Sequence, residues 1–104
     1  MEFANFHREG DKLRIWGNLN WPLDIKFDIE TSALLAEAEA KGLKDVMIDV
    51  RDVESMGSQY LGALAAVAGD MKKRGGGLTV RARGKVAKLI TEVGLHRVLT
   101  LETD

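Results

Sequence analysis

Apolar and polar positions alternate most clearly near the start of the chain. Leu13, Ile15 and Gly17 alternate with Lys12, Arg14 and Trp16, the period of a half-buried strand. Residues 2–8 form a second candidate strand, joined to 12–19 by Gly10-Asp11. Gly17-Asn18-Leu19-Asn20 then runs into Trp21-Pro22, which ends the strand because proline has no amide donor. Over 24–41 the spacing of Ile29, Leu34, Leu35 and Ala38 predicts a helix from about Asp28, with Gly42 as its stop. Residues 45–50, DVMIDV, read as a short central strand.

The clearest helix runs from Ser58 to Lys73. Leu61, Leu64, Ala65, Ala68 and Met71 recur at intervals of three and four. Its small residues, Gly62, Ala63, Ala65, Ala66, Ala68 and Gly69, suggest a thin helix lying close on a sheet. Lys72, Lys73 and Arg74 complement its carboxyl-terminal dipole, and Gly75-Gly76-Gly77 stop it. Leu78–Arg83 is a further strand. Val86, Leu89, Ile90 and Val93 mark a short helix ending at Gly94, and Val98, Leu99 and Leu101 fit a last strand or an extended tail. A strand–helix–strand unit is nearly always a right-handed crossover between parallel strands. The runs 46–50 and 78–80 are therefore expected side by side. The fold class expected is α/β, a small mixed β-sheet with helices packed against it, over 1–104 as one domain.

Composition removes several classes of function. Fifteen Lys and Arg against sixteen Asp and Glu leave a net charge of −1, with no global pull toward nucleic acid or membrane. The absence of cysteine excludes disulfides, thiolate nucleophiles and cysteine metal sites. No apolar run approaches the roughly 20 residues of a membrane span, and the first residues do not read as a signal peptide. A cytoplasmic location is the expectation.

Enzymatic chemistry finds no foothold. His7 and His96, the two histidines, belong to no metal-ligand or nucleophile spacing. Asp49 and Asp52 form a possible polar pair near a strand end, without the marks of an acid/base couple. Gly75-Gly76-Gly77 follows a helix and precedes a strand, the reverse of a phosphate-binding loop. Seven basic residues between 71 and 90 come with no acid among them, yet no aromatic lies in the run to stack on a base. An acidic protein partner fits that run better than nucleic acid. No catalytic residue, metal site, cofactor or small-molecule substrate is expected.

Ser58 is left, at a helix start after a central strand, in Met56-Gly57-Ser58. Serine is a favoured N-cap, worth about 1 kcal/mol, and Leu61 rules out a reciprocal capping box. A helix start is also a favourable place for a phosphate. The residues themselves permit both roles.

From about Lys12 to Glu102 the chain resembles the STAS family, in particular the bacterial anti-sigma factor antagonists. Gly17-Asn18-Leu19-Asn20 looks like the family's Gly-Glu-Leu-Asp. Met56-Gly57-Ser58-Gln59-Tyr60-Leu61-Gly62 looks like its Met-Asp-Ser-Ser/Thr-Gly-Leu-Gly. Gly75-Gly76, Val86 with Leu89, and Val93-Gly94-Leu95 resemble the later pattern. The resemblance implies that Ser58 is phosphorylated by a serine kinase that is itself the anti-sigma factor. It further implies that the unmodified protein binds that kinase and that a serine phosphatase resets the switch. The implied partner surface is Asn20, Gly57, Ser58, Gln59 and Tyr60. Gly57 and Asn20 stand where the family has acids, and Tyr60 where it usually has glycine. Those departures leave an alternative open: a STAS scaffold that is never phosphorylated, in a signalling or transporter-associated assembly.

Overall fold

The computed structural model describes residues 4–20 and 24–103. The expected strand end at Trp21-Pro22, and the first residues of the expected 2–8 strand, lie outside the described residues. The elements are β1 (Asn5–Glu9), β2 (Lys12–Leu19), α1 (Ile25–Lys41), β3 (Asp45–Met56), α2 (Ser58–Lys73), β4 (Gly77–Ala82), α3 (Gly84–Glu92), a single 3-10 turn (Leu95–Arg97) and β5 (Thr100–Thr103). They build a five-stranded sheet in the order β1-β2-β3-β4-β5. The β1–β2 hairpin is antiparallel and every other pairing is parallel. The expected neighbours meet as Val46↔Leu78 and Ile48↔Val80, with α2 crossing between them. This is the mixed α/β architecture anticipated from the strand–helix–strand pattern.

β3 is longer than the apolar run 45–50 indicates. Its simple alternation breaks at Arg51-Asp52, and a strict period of two ends there. The ladder with β2 continues through register shifts between Arg14 and Trp16 and between Gly17 and Asn18. Such bulges absorb an extra residue and restore the facing, so Val46, Ile48, Val50, Val53 and Met56 are all buried. The extension carries β3 to the threshold of Ser58.

α1 starts earlier than expected. Asp24 is its N-cap, with the side chain accepting from the Lys26 amide at 2.9 Å. Its inward face is Phe27, Thr31, Leu34 and Ala38. Ile29, expected on that face, is 57% exposed, because it lies two residues on from Phe27 and so far round the helix.

The small residues of α2 divide in a way that corrects the sequence reading. The inward face is Tyr60, Leu61, Leu64, Val67, Ala68 and Met71. Gly62, Ala66 and Gly69 are exposed, and a Cβ at Gly62 or Gly69 would meet nothing within 4 Å. Only part of the small set brings the helix near the sheet. The terminus follows a Schellman pattern: Gly76 N donates to Met71 O at 2.9 Å and Gly75 N to Lys72 O at 3.0 Å. In α3 the buried residues are Val86, Ala87 and Ile90, while Val93 and Val98 are 53% and 51% exposed. Val98 and Leu99 precede β5, and of the three residues expected in a last strand or extended tail Leu101 lies within it.

One face of the sheet is apolar and covered. The other carries rows of paired side chains. Register aligns His7, Arg14, Asp49, Arg81 and Glu102 across all five strands. On this face Arg81 Nε donates to Glu102 at 2.8 Å. Asp49 accepts from Arg51 Nη2 at 2.9 Å, Arg51 Nε at 3.1 Å and the Arg51 amide at 3.0 Å. Burial works to raise the Asp49 pKa, but these bonds outweigh it and hold the carboxyl below its ordinary range. A depressed carboxyl stabilises the fold above its unfolded pKa, near 4, and that contribution disappears as pH falls through the folded value. The urea midpoint of the wild-type protein should therefore drop more steeply below about pH 4 than that of Asp49→Asn. Parallel acid limbs for the two proteins would contradict this.

Candidate functional site

The site lies at the carboxyl ends of β2 and β3, where parallel-sheet proteins gather function in loops. Leu19 pairs with Met56, and the Gly57 amide donates to Leu19 O at 2.6 Å. The loop leaving β2 and the turn entering α2 are thus tied together. Ser55 adds a side-chain tie. Its Oγ lies 2.8 Å from Asn18 Oδ1 and 3.1 Å from Asn20 Oδ1, so one hydroxyl hydrogen is shared between two carbonyl oxygens. Asn20 and Gly57, far apart in sequence, become neighbours by this route.

The N-cap of α2 is Gly57, in an extended conformation with no side-chain cap bond. Ser58 is the first helical residue. The expectation that its hydroxyl caps the helix is corrected: the bonds from Tyr60 N at 3.1 Å and Leu61 N at 3.4 Å run to Gly57 O. A cap needs extended backbone at the capping residue, and that residue is Gly57. Ser58 and Gln59 are exposed, as is Asn20, and Gly57 is half-buried. The first turn of α2 holds no acid. Its leading amides lack intrahelical acceptors and its dipole end is positive. The exposed hydroxyl therefore sits where added negative charge is tolerated.

Tyr60 departs from the surface sketched from sequence. It is 1% exposed, because position 60 shares the inward stripe with Leu64, Val67 and Met71. Its ring meets Phe27 edge-on, with centroids 5.1 Å apart at 81°, and its hydroxyl accepts from the Asp24 amide at 2.6 Å. Burial pushes the phenol pKa up. Tyr60 fastens the start of α1 to the start of α2 and offers a partner no ring.

Asp49 and Asp52 are engaged by arginines, not by each other. Asp52 accepts from Arg14 Nη2 and Arg83 Nη2, each at 2.9 Å. The basic run of 71–90 is likewise partly matched by acids from elsewhere in the chain. Arg74 pairs with Glu39 at 3.4 Å, Arg81 with Glu102 and Arg83 with Asp52. No group of three or more His, Asp or Glu suited to a metal ion occurs among the described residues. No helix among them is long and apolar enough to cross a membrane.

Sequence reasoning passed over Ser55 and Asp24. Asp24 had a signal: an acid directly before an apolar-periodic run is a helix start. Ser55 had none, because its role depends on the β2–β3 register.

The family model described as "Mlab, STAS domain" matches residues 3–101. The chain belongs to the STAS family, whose domains serve as protein-interaction and regulatory modules and are typically not enzymes. No curated protein matches the chain.

Proposed function

We infer that this domain is an anti-sigma factor antagonist. In this reading it docks a serine kinase of the anti-sigma-factor type over Asn20, Gly57, Ser58 and Gln59, and phosphorylation of Ser58 ends the complex. A serine phosphatase restores it. ATP and metal belong to those partners. The observation that carries the reading is the Ser58 hydroxyl: exposed, not used as a cap, and set at a helix start without a nearby first-turn acid. Phosphorylation adds about −1.5 to −2 charges. The helix start accommodates that charge, whereas a partner docked over it must desolvate an anion.

The test is binding of Ser58 variants to the cognate kinase, with mass spectrometry of the wild type after incubation with kinase and ATP. Ser58→Asp should fold and bind roughly 100-fold more weakly, equivalent to about 2.7 kcal/mol. Ser58→Ala should bind constitutively. It should cost no more than about 0.5 kcal/mol of stability, as an exposed side chain that caps nothing. A second reading has its own support. Gly57 supplies no carboxylate beside Ser58, and the Asn20 side chain faces Ser55. On that reading the domain is a constitutive scaffold in a signalling or transporter-associated assembly. An unmodified Ser58, with both variants binding like wild type, would establish the scaffold instead.

A further inference from the structure

A groove of about 360 Å³ runs between the end of β3 and α3, lined by Ser55, Met56, Lys85, Val86, Lys88, Leu89 and Glu92. Leu89 gives it an apolar wall, over a floor of the core residues Met56 and Val86, which are 7% and 2% exposed. Leu89 is half-buried and Val93, about one helical turn after it, is 53% exposed. Lys85 and Lys88 are both exposed on its rim. Lys88 reaches Glu92 only at 3.9 Å, with side chains 77% and 58% exposed, a distance and setting at which an ion pair constrains little. The rim thus carries two lysines against one glutamate.

A second groove of equal volume, beside Phe6, Trp16, Ile29 and the Lys26 and Glu30 charges, has no such excess, since one cation and one anion offset each other. Of these two grooves, the α3 groove is the one that shares Ser55 and Met56 with the turn that presents Ser58. We propose that the α3 groove takes an acidic amphipathic segment of the protein partner, with apolar side chains against Leu89 over the Met56 and Val86 floor and carboxylates toward Lys85 and Lys88. The inference rests on the reading of the α2 start as a docking surface. It extends that surface past the switch to a place where charge and apolar contact act together. Electrostatic matching of this kind sets partner choice and association rate.

The experiment titrates isotope-labelled protein with a 14-residue helical peptide bearing leucine on one face and glutamate on the other. Two counterparts carry glutamine or lysine in place of glutamate. The expected result is amide shifts concentrated at Met56, Val86, Leu89 and Glu92. Affinity for the acidic peptide should fall at least tenfold in Lys85→Glu/Lys88→Glu and at least tenfold for the glutamine peptide. Lys85 and Lys88 are exposed, so the double variant should keep the wild-type spectrum elsewhere. Equal binding of the glutamine peptide, shifts confined to the Trp16–Ile29 groove, or no binding would each overturn the proposal. So would preferential binding to phosphatidylglycerol vesicles over the peptide. The readout involves no phosphate on Ser58: an unmodified serine with peptide in the groove retires the switch alone, and a phosphorylated serine with an empty groove retires this inference alone.

Discussion

Gly76→Ala should destabilise the protein by more than about 3 kcal/mol, beyond the usual range for adding one methyl group. A Cβ at this position would stand 1.5 Å from the carbonyl oxygen of Lys44 and 2.5 Å from its carbonyl carbon. The obstacle is backbone, with no flexible tip to swing aside. The overlap can be relieved only by moving the exit of α2 or the approach to β3. Gly76 N donates to Met71 O at 2.9 Å and Gly77 N to Lys44 O at 3.1 Å. Displacing either strand of chain loosens both bonds, each worth about 1 kcal/mol. It also disturbs the point where β3 and β4 begin side by side, at Asp45↔Gly77. Gly69→Ala is the control. Gly69 lies within α2, exposed and with open space at its Cβ, so alanine should stabilise by up to about 1 kcal/mol. Urea denaturation of the three proteins measures both. A Gly76→Ala protein within about 1 kcal/mol of wild type would show that the turn relaxes freely, contrary to its bonding.

These two glycines illustrate how far sequence carries. The triplet Gly75-Gly76-Gly77 is legible as a helix stop because glycine readily takes the left-handed conformation that such stops need, and Gly75 has φ 79°. Which glycine is indispensable is not legible, since it depends on Lys44, distant in sequence. The elements themselves follow from local periodicity, and their parallel pairing follows from the crossover rule. β3 is truncated in the sequence reading because bulges break the alternation that defines a strand. The site is legible to the extent that one serine at a helix start can be recognised. Its capping role is misassigned because a cap is a matter of backbone angles: Ser58 and Gly57 exchange roles with a one-residue shift. Tyr60 is misplaced for a related reason. Three residues after the cap, the helix has turned the ring inward, away from exposed Ser58 and Gln59.

Tyr60→Ala should therefore cost about 3–5 kcal/mol, as expected for removing a buried aromatic ring, and the loss should not stop at stability. The ring fills space against Phe27, and the hydroxyl holds the Asp24 amide at the start of α1. Without them the start of α1 loses its anchor to α2, at the end of the sheet where Asn20 and Ser58 are presented. Tyr60→Phe separates the two contributions. It keeps the edge-on contact and leaves the Asp24 amide without its acceptor, an expected cost of about 1–2 kcal/mol. The pair also differ from wild type in alkaline solution. Burial raises the phenol pKa in the folded state, so the folded protein resists ionisation that the unfolded chain accepts. The stabilising contribution is complete below the unfolded value, near 10, and is lost as pH rises through the higher folded value. Wild type should lose urea stability above about pH 10 more steeply than Tyr60→Phe. If Tyr60→Phe matched wild type both at neutral pH and along the alkaline limb, the hydroxyl would hold nothing, and the coupling of the two helix starts would rest on the ring alone.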